Sequence, residues 1–402
     1  MKITIISLNF YPEDTAIGLY STQMAEFLAE SDEVEIITAF PYYPQWKIWK
    51  DYKSKRLFNK EKIGRINIYR SRQYVSSNPS FYKRLILMFT FTMGAFINLF
   101  RIRKPDLVIA VIPFTSSAWL ALLCKWVYRS KTWVHIQDFE FDAAIDSGLI
   151  KNNKILKSLI LGFERFLLNR ADFVSTISNS MLKKLKSKTK SETYYLTNWI
   201  EESFLEKTEN GQRHHYFDNK KFNILYSGNI GAKQDWDFFV KVVSDLRNEQ
   251  EIMFYVVGDG AKRGELEANC EKFFNVCFHP PVAYDELPLL LSGADLHILF
   301  QKNDVLDTVM PSKLLGMLAS GGMSVVTGNP DSEIRSIFEN NNMGYYIYSG
   351  NVDEVIAAIL KIKNEPSDFV EQTKRAQSFV SENFSKTKVL SNFSDKIKTL
   401  FS

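Results

Sequence analysis

The stretch FNILYSGNIGAKQDWDFF, residues 222–239, decides how this chain is read. An apolar run ends at Ser227–Gly228, a glycine-containing loop follows, and a helical pattern begins near Asp235. Strand, glycine loop and helix in that order form the opening unit of a parallel sheet. Lys233 stands in the loop just before the helix. A compact ammonium above a strand end suits phosphate oxygens, and a lysine there can equally be a solvated surface residue.

Working outward, the same arrangement opens the chain. KITIISL (2–8) reads as a strand and NFYPEDTAIGLYSTQM (9–24) as its exit into a helix. Gly18 either lets backbone approach a ligand at that helix start or serves an ordinary turn. Further strands are expected at 33–39, 106–112, 132–137 and 173–178, with helical patterns between them. A polar stretch, TENGQRHHYFDNKK (208–221), interrupts the series, and a second series follows at 222–228, 252–258, 276–280, 295–300 and 323–328. The expected fold is therefore α/β: two Rossmann-like, doubly wound parallel-sheet domains. We place an N-terminal domain at 1–205 and a C-terminal domain at 206–380. A helix at about 380–402 is expected to pack back on the first domain.

With 402 residues, 45% of them hydrophobic and 24% charged, the chain can fill two cores. A formal charge of +4 is mild; it points away from a dedicated nucleic-acid binder and suits an anionic membrane surface. Cys124, Cys270 and Cys277 lack ligand spacing and read as reduced core thiols of a cytoplasmic protein. LILMFTFTMGAFINLF (85–100) is shorter than the roughly 18–20 residues of a bilayer span. It reads as a buried or interfacial helix whose basic flanks permit peripheral contact with lipid headgroups.

MPSKLLGMLASGG (310–322) opens a second candidate anion site. Pro311 fits a first helical turn, the free N–H groups there favour an anion, and Ser312 and Lys313 are placed to help hold one. VVGDGAKRGEL (256–266) has glycines one residue too widely spaced for a dinucleotide fingerprint and reads as a tight turn. HIQDFEFDAAID (135–146) ends a strand with His135, Asp138, Glu140, Asp142 and Asp146. Convergent carboxylates would suit a metal, divergent ones a solvated loop, and a substrate-facing polar cluster is the third reading. In FPYYPQWKIW (40–49), Tyr42, Tyr43 and Trp46 offer flat faces for a sugar, or pack under a loop. His214–His215 reads as solvated linker.

Taken together, PEDTAIGLYS, FPYYPQW, VHIQDFEFDA, VSTIS, TNW, LYSGNIGAKQ, VVGDG, MPSKLLGMLASGG and VVT resemble, in order and over nearly the whole chain, the retaining family 4 glycosyltransferases. The likeness is strongest to the WcaI-like fucosyltransferase and fucosamine-transferase group. It implies the GT-B fold, with its two domains facing across a cleft. It also implies sugar transfer from a nucleotide-diphosphate donor, GDP-fucose or a UDP-linked fucosamine-type sugar, with no cofactor and no metal. The acceptor implied is a lipid-linked glycan at the inner face of the cytoplasmic membrane.

By the same resemblance, Lys233 clamps the phosphates, with Gly228 and Asn229 in the donor loop. The helix start at Pro311, Ser312, Lys313 and Leu314 meets the diphosphate, Gly18 lies beneath the donor, and His135 is the histidine near the sugar, with Asp138 beside it. Asp138 or Glu140 orients the acceptor hydroxyl. Two departures stand out. Asn229 replaces the family's arginine, and the paired glutamates fall on Thr308 and Gly316, with Asp307 and Glu333 as candidate replacements. Those absences keep a non-catalytic sugar-nucleotide or glycan-binding subunit in view, and a nucleotide-sugar epimerase is the remaining alternative.

Overall fold

The computed structural model describes residues 1–14, 16–78, 80–113, 115–142, 154–202, 205, 213–304 and 312–401, the side chains of 16, 81, 154, 156 and 312 excepted. The chain forms two compact units, Met1–Thr197 with Leu390–Ser402, and Asn198–Val389.

In the first unit the strands are β1 (Lys2–Ile6), β2 (Glu33–Ala39), β3 (Phe58–Ile63), β4 (Ile66–Ser71), β5 (Leu107–Ile112), β6 (Lys131–Ile136), β7 (Phe173–Thr176) and β8 (Glu192–Tyr195). They lie in the order β3-β4-β2-β1-β5-β6-β7-β8, parallel except for the β3–β4 hairpin. Ile3 pairs in register with Val34 on one side and Leu107 on the other, so the winding reverses between β1 and β5. Ligand sites of doubly wound sheets form outside the strand carboxyl ends at such a reversal.

Sequence periodicity missed β3, β4 and β8. The edge strand β3, FNKEKI, alternates half-buried and exposed residues and carries charges, so it has no apolar run to announce it. Its hairpin turns at Gly64, in the left-handed region at φ +53°. Arg70 of β4 is fully buried. Its guanidinium reaches Glu61 at 2.9 Å, the Ala39 carbonyl at 3.0 Å and the Tyr11 carbonyl, tying the exits of β1 and β2 together. Phe393, from the helix Lys386–Lys398, meets the Trp133 ring edge-on at 4.8 Å, which seats the last residues on this unit.

The helix Phe81–Leu99 buries Leu87, Phe91 and Ala95 and exposes Tyr82, Leu85, Ile86, Phe89, Met93 and Ile97. Among the described residues no helix is long and apolar enough to cross a membrane.

The second unit holds β9 (Phe222–Ser227), β10 (Ile252–Val257), β11 (Val276–His279), β12 (Leu296–Phe300), β13 (Met323–Gly328) and β14 (Tyr345–Tyr348) in the all-parallel order β11-β10-β9-β12-β13-β14. Its winding reverses between β9 and β12. The helix Ser312–Ala319 buries Leu314, Leu315 and Leu318. Ser320, just past that helix, hydrogen-bonds the ring of buried His297 on β12 at 2.7 Å, and burial lowers that imidazole to about 4. Both units are doubly wound α/β, as the strand series predicts.

One expectation is corrected. His214 is not solvated: it is buried, its ring 4.2 Å from that of exposed His215, and desolvation lowers its pKa. Tyr216, following this pair, lies flat on His279 at 3.9 Å, so the polar-looking stretch packs on the second core. Cys124, Cys270 and Cys277 are all free thiols.

Candidate active site

In the second unit, β9 and β12 release their chains side by side at the winding reversal. The β9 loop is built on close approach. Gly228 has φ +131°, and a Cβ on Gly258, at the exit of β10, would stand 1.9 Å from the Gly228 carbonyl oxygen. Three amides of this loop bond within the chain: Gly228 N to Val257 O at 2.9 Å, Ile230 N to Asp259 O at 2.8 Å, and Gly231 N to Gln234 Oε1 at 3.3 Å.

Lys313 is the most informative residue here. Its ammonium donates to Tyr226 Oη at 2.8 Å and lies 4.8 Å from that ring's centroid. A Cβ on Gly228 would stand 3.4 Å from the same nitrogen, so the cation borders the glycine loop directly. Desolvation lowers Lys313 to about 8, and among the described residues no carboxylate offsets that cost. The residue also belongs to the first turn of its helix, where the macrodipole disfavours a cation. Burial and the helix dipole both penalise the charge, and a neighbouring anion would offset that cost.

The other expected donor-side residues are placed as follows. Lys233 is exposed, and its carbonyl accepts from Lys302 N at 3.2 Å, tying the β9 loop to the β12 exit. Asn229 is exposed, with its amide lying over Gly231 and Gly260. Leu314 is in the core, so only its backbone can face a ligand. Glu333 is half-buried and opens the helix Glu333–Asn341 beyond β13, capped by Ser332 Oγ accepting from Ile334 N at 3.2 Å. A side chain at Gly316 would begin 2.9 Å from Leu291 Cδ1. Asp307, Thr308 and Pro311 lie outside the described residues, as does the Ser312 side chain.

In the first unit the exits of β1 and β2 are joined by Glu13. Its buried carboxylate accepts from Tyr42 N at 2.6 Å, Tyr43 N at 2.7 Å and Asn9 Nδ2 at 2.7 Å. Burial raises its pKa, and those three donors hold the rise back. Gly18 serves this loop: a Cβ there would stand 2.6 Å from the Glu13 carbonyl oxygen. Tyr42 is buried, its phenol pushed up by desolvation, with Trp46 edge-on at 5.5 Å. Tyr43 and Trp46 are half-buried, and the Arg84 guanidinium lies 5.2 Å over the Trp46 ring. Of the three rings, those of Tyr43 and Trp46 are thus partly exposed, with Arg84 lying on one face of Trp46.

His135 is 1% exposed, with Nδ1 2.9 Å from Ser175 Oγ and Nε2 2.9 Å from Gln137 Nε2. Ser175 Oγ also accepts from Trp133 Nε1 at 2.7 Å. Burial lowers this imidazole to about 3. Both ring nitrogens are engaged inside the unit, so His135 braces the ends of β6 and β7 and does not reach outward. Asp138 is exposed at the β6 exit.

The acidic run diverges. Glu140 Oε2 accepts from Thr115 N at 3.0 Å and Thr115 Oγ1 at 3.1 Å, while Asp142 pairs with Lys184 and Lys188. Burial raises Glu140 to about 7, with Asp138 adding to the rise. Asp146 lies outside the described residues. Sequence reading missed two groups here, Tyr226 and the His297–Ser320 pair. A tyrosine inside a strand's apolar run and a histidine within DLHILF were the signals present.

Two doubly wound parallel-sheet units in tandem are the architecture of the GT-B class, and in the second a desolvated lysine borders the winding reversal. Comparison with known proteins gives the family. Residues 15–188 match the glycosyl transferase 4-like domain, and residues 207–379 match glycosyl transferases group 1. A putative colanic acid biosynthesis glycosyl transferase, WcaI of Escherichia coli K12, is 37% identical over 356 residues, 84% of this chain and 86% of that one. The chain belongs to this glycosyltransferase family.

Among solved structures, sucrose-phosphate synthase from Thermosynechococcus elongatus aligns over 100% of this chain and 99% of its own, with TM-score 0.75 and 14% identity. Anabaena HepE, solved in complex with UDP, aligns over 99% and 100%, with TM-score 0.68 and 12% identity. At those identities the likeness is one of fold.

Proposed function

We propose that this protein transfers a fucose- or fucosamine-type sugar from a GDP- or UDP-linked donor to a lipid-linked sugar or oligosaccharide. The product would be a cell-surface polysaccharide of the colanic acid kind. Transfer retains anomeric configuration and needs no metal. The observation that carries the reading is the desolvated Lys313 ammonium beside Gly228, with no carboxylate pairing among the described residues. As the donor bond breaks, negative charge builds on the leaving diphosphate, and a cation already in place lowers that barrier without reorganising. Lys233, exposed on the adjoining loop, supplies a second charge. The WcaI relative's colanic acid assignment supports the polysaccharide class, and the UDP complex of HepE supports a nucleotide donor.

On the acceptor side, Asp138 or Glu140 orients the attacking hydroxyl. Glu140, near 7, is poised to exchange a proton at neutral pH. Trp46 and Tyr43 present faces to a sugar ring. The outward stripe of Phe81–Leu99, with Lys83 and Arg84 at one end and Arg101, Arg103 and Lys104 at the other, rests on the anionic inner leaflet. An enzyme bound there would meet a lipid-linked acceptor at the cytoplasmic face of the membrane.

A thermal-shift panel of GDP- and UDP-sugars, followed by transfer assays on lipid-linked acceptors, tests the reading. Stabilisation by one donor and turnover lost in Lys313→Ala are expected; turnover unchanged in that variant would refute it. Gly316 stands where the family carries a carboxylate and has no side chain to supply one, which keeps one rival open, a donor-binding subunit without catalysis. Tight donor binding with no transfer to any lipid-linked acceptor would establish that rival. Conversion of donor alone to a new sugar nucleotide would instead mark an epimerase.

A further inference from the structure

Tyr226 sits one residue before the end of β9 and is buried, with a single hydroxyl hydrogen to give. That hydrogen goes to the Asn229 carbonyl at 2.6 Å, which leaves the oxygen's lone pairs to accept from Lys313 Nζ at 2.8 Å. The π-face attracts the same ammonium. The ring is itself fixed: Trp236 meets it edge-on at 4.9 Å, and the Trp236 indole N–H donates to the Gly231 carbonyl at 2.8 Å. One side chain thus joins the glycine loop to the cation, and a second holds that side chain in place.

We propose that Tyr226 is the positioning residue for Lys313, holding its ammonium against Gly228 so that a nucleoside diphosphate meets a cation already in place. The proposal rests on the diphosphate reading above. An untethered lysine has many rotamers, and confining them at each binding event costs affinity. The tether moves that cost into folding. Tyr226→Phe keeps the ring and deletes the hydroxyl, so it removes the tether with little change in volume.

The test is a double-mutant cycle on the affinity of the full chain for GDP and for UDP, using wild type, Y226F, K313A and Y226F/K313A, with thermal midpoints recorded alongside. Y226F is expected to weaken the favoured diphosphate about tenfold, the scale of one hydrogen bond to a charged group. In the K313A background the same change should cost less than about twofold, because the tether then has nothing to hold. Trp236→Phe, which loosens the ring without touching the hydroxyl, should follow the same rule and serves if Y226F fails to fold. Equal losses with and without Lys313 overturn the positioning role and leave the diphosphate reading standing. K313A with undiminished affinity for both nucleotides overturns that reading, and the proposal with it.

Discussion

Raising the pH should weaken diphosphate binding through deprotonation of Lys313. Desolvation holds this lysine near 8 in the free protein. At pH 7 about nine molecules in ten carry the charge, and at pH 9.5 about three in a hundred do, by simple titration about that value. If the diphosphate binds the charged form, affinity should fall about thirtyfold across that range, or about 2 kcal/mol. Above pH 8, binding should also take up close to one proton. Stability of the free second unit should move the other way. The unfolded lysine titrates near 10.4, so between about 8 and 10.4 the unfolded chain binds more protons and folding strengthens as pH rises.

Calorimetric titration with GDP and UDP in pairs of buffers of unlike ionisation heat reads both affinity and proton uptake. Lys313→Arg stays charged throughout and shares every titration of the ligand itself, so its profile should lack the lysine's share of the fall. Lys313→Met should sit at the alkaline limit at all pH values. A wild-type profile no steeper than that of K313R would refute the reasoning.

Acid should weaken each unit through its buried histidines, most strongly His135 in the first and His297 in the second, where His214 and His279 add in the same direction. His135, near 3, and His297, near 4, stay neutral in the fold and charge on unfolding. Stability present above about 6.5 is therefore lost as pH falls toward those values, about 2 kcal/mol per histidine by pH 5. Denaturant unfolding followed separately for the two units should show this slope, and H297N should reduce it in the second unit only; an unchanged slope would count against the assignment. Glu13→Ala leaves the Tyr42 and Tyr43 amides without their acceptor and should cost about 3 kcal/mol of first-unit stability, whereas E13Q should keep most of it. Equal losses in the two variants would show that the amides are not what Glu13 serves. Phe89→Glu should cut binding to phosphatidylglycerol vesicles by about tenfold or more, with neutral vesicles bound weakly by either form; unchanged sedimentation would remove the helix Phe81–Leu99 from the membrane contact.

What was legible in the sequence was local. Short apolar, β-branched runs gave ten of the strands, and the order of the motifs gave the family, because strand periodicity and turn chemistry are written in neighbouring residues. The elements missed, β3, β4, β8 and β14, are short or carry polar residues, and their pairing along a sheet edge, not an apolar run, makes them strands. Among the candidate residues, Lys313 could be named from the helix start it occupies. Its partner could not: Tyr226 lies 87 residues away and is brought beside it only by the pairing of β9 with β12.

Tertiary structure alone decided how each candidate residue is used. His135 looked like a strand-end histidine facing ligand, and packing closed it between Ser175 and Gln137. Asp138, Glu140 and Asp142 looked like one cluster, and the fold sent one to solvent, one to Thr115 and one to two lysines. Burial and hydrogen-bond partners set the free energy of a charge, and both are properties of the space around it. A chain records which groups are present and how the backbone will turn near them. Whether a lysine is solvated or waits in a dry notch for an anion is settled only when remote segments remove its water.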